Sequence, residues 1–375
     1  MTALRLLGYP RLTHRCNVFI PPDPREAPCS VHRPALPTLP RCSVLPATAP
    51  AEPQARSAGI REVARQSGVS IATVSRVFNN EASVSPETRQ RVLECAAALG
   101  YEPSPLGRNL VTGRSYLMGL IMPNISFPLY GLMLNGAEDF LAGHGMRVLL
   151  ASSHDDLQTE LGAAGHLLRY AVDGGIVINS LAGEALPRQR QAPWVHIAPE
   201  QAGLPWRVEL DNEAGGRLAA EELLRGGGRE LSFVAGYGRE SADRERGFAG
   251  ALRARGLEYR RVAGDYSVES GEAAAHTLLA GPLDGVFAAG DLMAAGVLRA
   301  LRAAGRRVPD DVAVIGFDDT PLAALLYPPL SSIRQPAYEM GAAAAALAVH
   351  LLSGATGEPV ALQPQLIRRD STAPP

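Results

Sequence analysis

The sequence predicts two architectures in one chain: a small all-α headpiece built on a helix-turn-helix, then an α/β body of two doubly wound lobes. Three observations predict it. Residues 57–103 hold three short amphipathic segments separated by turn residues. From about Tyr116, short apolar runs alternate with helical stretches, the pattern of doubly wound sheets. The alternation runs for about 250 residues, which suits two lobes better than one.

The chain has 375 residues, 46% of them apolar, with a net charge of −2. Such a balance excludes a global basic field but leaves room for a small, locally basic reading surface. The sequence has no lysine, so arginine supplies every side-chain cation except histidine. No apolar run is long enough to span a membrane. Cys16, Cys29 and Cys42 match no CxxC spacing, and Cys95 lies on an apolar helical face. Neither a metal or other cofactor nor a disulfide framework is expected.

Residues 1–56 carry many prolines, seven arginines and little periodicity, and are expected to be a disordered N-terminal extension. They read as a true tail or as an over-extended start. LRLLGYPRL is too broken by Arg5, Pro10 and Arg11 for a signal peptide.

In residues 60–66, Ile60, Val63 and Ala64 share one helical face, and Gly68 ends the helix. Ser70 starts the next helix, 71–78, with Val74, Val77 and Phe78 inward. Asn79 and Asn80 stop it. Ser85, Pro86 and Glu87 open a third helix to residue 99, with Val92, Leu93, Ala96 and Leu99 inward. The middle segment, GVSIATVSRVFNN, is rich in β-branched residues that disfavour a helix. A helix entering the DNA major groove, about 12 Å wide, explains them. Ser70, Ala72, Thr73 and Ser75 keep its outer surface slim, and their hydroxyls suit phosphates or bases. Arg76 is its one long donor, suited to guanine. A plain three-helix bundle would show the same periodicity.

The run GIREVARQSGVSIATVSRVFNNEASVSPETRQRVLECAAALGYEP resembles the DNA-binding headpiece of the LacI/GalR family of bacterial transcriptional regulators. The resemblance implies that Ile71, Ala72 and Arg76 read bases. It implies that Ser70, Thr73, Ser75 and Asn79 hold phosphates or the fold. Gly59 and Glu62 stand where the family usually has Thr and Asp. Residues 104–114 match the family's hinge, and Leu110 matches the leucine wedged into the minor groove. Gly107, in place of the usual Ala, costs the hinge helix about 1 kcal/mol.

The resemblance continues over residues 115–372, through DRERGF, AAGDLMAAGVLRAL, VPDDVAVIGFDDTP and PPLSSIRQP. It implies an effector-binding and dimerisation domain of two lobes of periplasmic-binding-protein type, with a small molecule in the cleft. By position, Arg244 and Asp291 would be the main polar contacts, chemistry that fits a polyol. Phe127 and Tyr130 would approach from the first loop and Asp155 from the second. Asp155 and Asp156 also read as helix caps, the reading their position favours, Tyr266 as a stacking ring or as rim packing, and Gln335 as structural. Alone, Arg244 would read as a surface ion pair with Asp243 or Glu245.

Strands are expected in YLMGLIM, MRVLLAS, GGIVINS, PWVHIA, LSFVAG, GVFAAG and VAVIGF. Helices are expected at 130–143, 212–225, 243–255, 269–280, 291–304 and 338–352. The function implied is a cytoplasmic, homodimeric repressor that binds pseudo-palindromic double-stranded operator DNA under control of a small molecule, a sugar or derivative. The dimer would use helix 130–143 and one face of 291–304. The rival reading is a periplasmic-type sugar-binding protein without DNA activity. No catalytic base or nucleotide loop is apparent, so no enzyme is expected.

Overall fold

The computed structural model describes residues 59–78, 83–101, 114–187 and 192–372. The N-terminal extension, Asn79 and hinge residues 104–113, Leu110 included, lie outside the described residues. The chain divides into two units after Tyr101.

The first unit holds α1 (Ile60–Ser67), α2 (Ile71–Phe78) and α3 (Pro86–Ala98). Their ends follow local chemistry. Gly68 adopts the left-handed conformation (φ 66°) that an L side chain resists, and closes α1. Ser70 Oγ accepts from the Thr73 amide at 3.1 Å, and Ser85 Oγ from the Thr88 amide at 3.3 Å. Val63, Val74, Val77, Val92 and Ala96 form the core. Thus tertiary burial of Val74 and Val77 holds α2, with its β-branched residues, in a helix. Leu93, expected inward, is 41% exposed. Val92 and Ala96 define the inward stripe of α3, and one further residue turns about 100° away from it. Cys95 is half-buried beside the core rather than within it.

The second unit contains two six-stranded sheets. In lobe 1, β1 (Leu117–Met122), β2 (Arg147–Ser152), β3 (Gly174–Ile178), β4 (Trp194–Ile197), β5 (Arg207–Leu210) and β11 (Val360–Leu362) run in the order β11-β5-β4-β3-β1-β2. In lobe 2, β6 (Leu231–Ala235), β7 (Tyr259–Ala263), β8 (Gly285–Ala288), β9 (Ala313–Asp318), β10 (Ser331–Arg334) and β12 (Gln365–Ile367) run β12-β10-β9-β8-β6-β7. All pairs are parallel except β10 with β12. Lobe 1 carries helices α4 (Pro128–Gly143), α5 (Leu157–Arg169) and α11 (Ala337–Leu352). Lobe 2 carries α6 (Asn212–Arg225), α7 (Gly238–Arg253), α8 (Val268–Leu278), α9 (Asp291–Ala303) and the short α10 (Pro321–Leu325).

Sequence periodicity finds the buried central strands and misses β5, β7, β10, β11 and β12. These are short, and RVEL and YRRVA mix charge into the run. It also misses α5 and α10, and starts α7 five residues late, at 243, because GRES carries no apolar signal.

Reciprocal glycines set the helix spacing. A Cβ on Gly216 would lie 1.8 Å from the Arg244 carbonyl oxygen, and one on Gly247 would lie 1.8 Å from that of Glu213. Helices α6 and α7 therefore touch backbone to backbone, as do α4 with α11 through Gly136 and Gly341 and α8 with α9 through Gly271 and Gly296. The chain passes between lobes three times, at Asp211, at Gln335–Pro336 and at 363–364.

Candidate functional sites: a reading helix and an interlobe cleft

On α2, the buried face is Val74 and Val77, so Ser70, Ile71, Ala72 and Arg76 fall on the exposed side. Thr73 and Ser75 are half-buried. Ile71 is 46% exposed, an apolar side chain left in water at the helix start. Ser70 and Thr73 also bond to each other (Oγ to Oγ1, 2.9 Å), so both hydroxyls help cap the helix. Arg89 Nη1 donates to the Val77 carbonyl oxygen at 3.0 Å and ties α3 to the end of α2.

In the body, ligand-facing loops of doubly wound sheets follow the carboxyl ends of strands. Several non-glycine residues there adopt positive φ: His154 and Asp155 after β2, Asn179 after β3, Tyr266 after β7, and Asp318 ending β9. Such conformations cost energy and gather at functional sites.

Arg244 on α7 lies at the centre of lobe 2's share. Its side chain is buried, yet neither Asp243 nor Glu245 holds it. Nε donates to Asn212 Oδ1 at 2.8 Å and Nη1 to the Ala289 carbonyl oxygen at 2.6 Å. Nη2 is 3.6 Å from Glu240 Oε1. The guanidinium lies over the Phe317 ring, 3.7 Å from its centroid. This packing fixes the plane and direction of the fork before any ligand arrives.

Asp291, assigned by position to the ligand, has both carboxylate oxygens engaged by protein. Oδ2 accepts from the Thr320 amide (2.7 Å) and hydroxyl (2.9 Å), and Oδ1 from Ser332 Oγ (2.7 Å). It braces the loop after β9. The carboxylate standing with Arg244 is Asp318, one residue beyond Phe317, whose Oδ1 accepts from Gln335 Nε2 at 2.6 Å. Burial pushes the Asp318 carboxyl up; the Arg244 charge opposes this and the Asp291 carboxylate adds to it. Burial also raises Asp291, against its hydrogen bonds from Ser332 and Thr320. Burial raises Glu240 too, with Arg244 opposing. Among these three carboxyls the upward shift reaches neutral pH at Asp318, which is pushed up to about 8 and can then donate as well as accept.

Lobe 1's share is mainly aromatic, with the carboxylates Asp155 and Glu200 at its rim. Tyr130 Oη accepts from Asn179 Nδ2 at 2.9 Å, and its ring lies 5.0 Å from that of Phe127. Burial raises the Tyr130 phenol, and the charges of Glu240, Asp155 and Asp318 add to this. Tyr130 of lobe 1 therefore feels carboxylates of lobe 2 across the cleft. In lobe 2 the Tyr266 ring packs edge-on against Tyr237 (5.1 Å) and beside Gly236 and Gly290, where a Cβ would collide with it or crowd it.

Direct contacts join the lobes. Tyr237 Oη donates to Asp155 Oδ2 at 3.4 Å. Asp156, not Asp155, caps α5 by accepting from the Thr159 amide at 2.7 Å. Helix α7 lacks a side-chain cap of its own. Glu200 of lobe 1 supplies one, accepting from the Arg239 amide at 3.0 and 3.2 Å. Arg239 Nη1 reaches back to Glu209 (2.7 Å) and the Pro199 carbonyl oxygen (3.3 Å). Sequence reasoning missed Asn179, Glu200, Asn212, Glu240 and Asp318. Only Asp318 carried a signal, the Asp-Asp pair closing the apolar run VAVIGF.

Among the described residues no group of three or more His, Cys, Asp or Glu is placed to hold a metal ion, and no helix is long and apolar enough to cross a membrane.

The chain matches the family of bacterial regulatory proteins of the lacI type over residues 59–104 and a periplasmic binding protein-like domain over 220–372. It is 37% identical over 332 residues to the HTH-type transcriptional regulator CelR of Thermobifida fusca, covering 82% of this chain and 96% of the relative. It is 33% identical to the ribose operon repressor of Bacillus subtilis, covering 79% and 92%. The lac repressor dimer bound to operator and the anti-inducer ONPF has a similar structure, with a TM-score of 0.77, 26% identity and coverage of 84% and 99%. The CelR–cellobiose complex gives 0.64, 33%, 84% and 99%. A helix-turn-helix with a slim exposed face, a two-lobed body and relatives matched over nearly their whole length agree: the chain belongs to the LacI family of bacterial transcriptional regulators.

Proposed function

We propose that this regulator is a repressor that binds operator DNA as a homodimer and yields it in response to a carbohydrate held between the lobes. The observation that carries the effector class is the paired chemistry of Arg244 and Asp318. Arg244 keeps Nη2 uncommitted to a close bond, and Asp318 keeps Oδ2. A fork donor beside a carboxyl that donates and accepts suits vicinal hydroxyls, and the Tyr130 and Tyr266 rings suit sugar faces. The relatives that bind cellobiose and, in the regulator from Enterococcus faecium, ribose support the same class.

In this reading, residues 57–103 read DNA, with Ile71, Ala72 and Arg76 at base edges and Ser70, Thr73, Ser75 and Asn79 holding phosphates or the fold. Residues 104–114 are the hinge, with Leu110 as wedge, and 115–372 are the sensor. Two-fold symmetry demands two matched half-sites. The protein works in the cytoplasm, where its operator is. Sugar closes the lobes and lowers operator affinity, a coupling between two sites.

The test is a thermal-shift screen of the full chain against sugars, polyols and nucleosides, followed by operator retention with and without the hit. A sugar that raises Tm by linkage and releases operator supports the proposal. A nucleoside hit, or a sugar hit without effect on operator, refutes it.

A further inference from the structure

Helix α5 of lobe 1 buries a glutamate. Glu160 is fully buried, and its carboxylate faces one loop, the turn that follows β3. Oε1 accepts from Ser180 Oγ at 2.7 Å and from the Ala182 amide at 3.1 Å, and Oε2 accepts from the Leu181 amide at 2.9 Å. Ser180 Oγ in turn accepts from the Gly183 amide at 3.1 Å. Burying a carboxylate is costly unless donors take the place of its water, and here residues 180–183 are folded around it to do so.

That loop is bonded to a second one. The Ser180 carbonyl oxygen accepts from the Glu200 amide at 3.1 Å. Gln201 Oε1 accepts from the Glu184 amide, also at 3.1 Å. Glu200 is the residue that crosses to lobe 2 and accepts from the Arg239 amide at the start of α7. Its seat there is close: Gly238 has φ 81°, and a Cβ on it would lie 2.3 Å from Glu200 Oε1. Glu200 is itself exposed, so its backbone takes its position from the bond to Ser180 rather than from burial.

We propose that Glu160 is a positioning residue for the contact between the lobes. By anchoring Ser180 it sets Glu200 where that carboxylate caps α7, although its own side-chain hydrogen bonds all stay within lobe 1. The inference goes beyond the proposed function, because this joint is made of protein alone and holds whatever the effector is.

The test is hydrogen exchange in the full-length protein without ligand, read at single amides by mass spectrometry. Glu200→Ala removes the cap directly and should speed exchange at the Arg239 amide about fivefold. In Glu160→Gln the amide nitrogen cannot accept, so a loop donor is left unpaired, and exchange at Arg239 should rise about threefold. The Phe248 amide, inside α7, should keep its wild-type rate in both variants. The double variant should exchange no faster at Arg239 than Glu200→Ala alone, since both changes act through one contact. A merely structural role for Glu160 would speed Phe248 as much as Arg239 and would multiply with Glu200→Ala. Either of those results, or an unchanged Arg239 rate in folded Glu160→Gln, overturns the proposal. If Glu160→Gln does not fold, Ser180→Ala decides by the same readings, with a rise of about twofold expected at Arg239.

Discussion

The two lobes repeat one strand order and contribute unlike surfaces to the cleft. Lobe 2 brings buried charge: Arg244 locked between Asn212, the Ala289 carbonyl and the Phe317 ring, with Asp318 beside it. Lobe 1 brings Phe127 and Tyr130, Asn179, and the exposed Asp155. The difference separates recognition from closure. A fork held by three partners is aimed before any ligand binds, so in the proposed function lobe 2 is the side that supplies specificity. Lobe 1 supplies rings and a few cross-lobe bonds, which in the proposed function mark the closed arrangement.

The strongest test of that division is Arg244→Ala. It removes a buried cation from a carboxyl-rich site and should weaken effector binding by about 2–5 kcal/mol, read by calorimetry. A change below tenfold would place recognition elsewhere. Gly247→Ala strikes the frame instead. Its Cβ would lie 1.8 Å from the Glu213 carbonyl oxygen, so α6 and α7 must part. Unfolding by denaturant should show a loss of about 1–3 kcal/mol, and an unchanged midpoint would mean the helices slide freely.

Tyr130→Phe removes a hydroxyl bonded to Asn179 within lobe 1 and should cost about 1 kcal/mol of effector affinity with little effect on stability. Equal losses in both would make Tyr130 a packing residue. Glu200→Gln should have a smaller effect, about 0.5 kcal/mol or less, confined to closure. Faster effector release at an unchanged association rate, by stopped flow, would be its signature.

Acidity sharpens the picture. Asp318 has a folded-state pKa above its unfolded value, so the folded protein holds a proton that the unfolded chain has released. Its contribution to stability is therefore present below the ordinary carboxylate pKa and is lost as pH rises toward the folded value. Asp318→Asn should flatten that decline in a series of Tm against pH, and an identical slope would show that other groups carry it.

What the sequence discloses depends on how far each interaction reaches along the chain. Gly68, Ser70 and Ser85 act on atoms within a few residues, and their capping roles are legible. The choice between Asp291 and Asp318 is not. Each acidic side chain lies where a strand gives way to the next segment. Asp291 is engaged by Thr320 and Ser332, which are 29 and 41 residues away. Glu200 is opaque for the same reason, since the amide it caps lies 39 residues on, in the other lobe. The β-branched residues of α2 mislead propensity and become intelligible once a face for DNA and a face for the core are assigned separately.

The three interlobe passages are one or two residues long, at Asp211, Gln335–Pro336 and 363–364. A door hung on three short pins swings about a single axis and resists twist and slide. Passages this short favour rotation of one lobe against the other over sliding, and in the proposed function every effector that fits reports through that rotation.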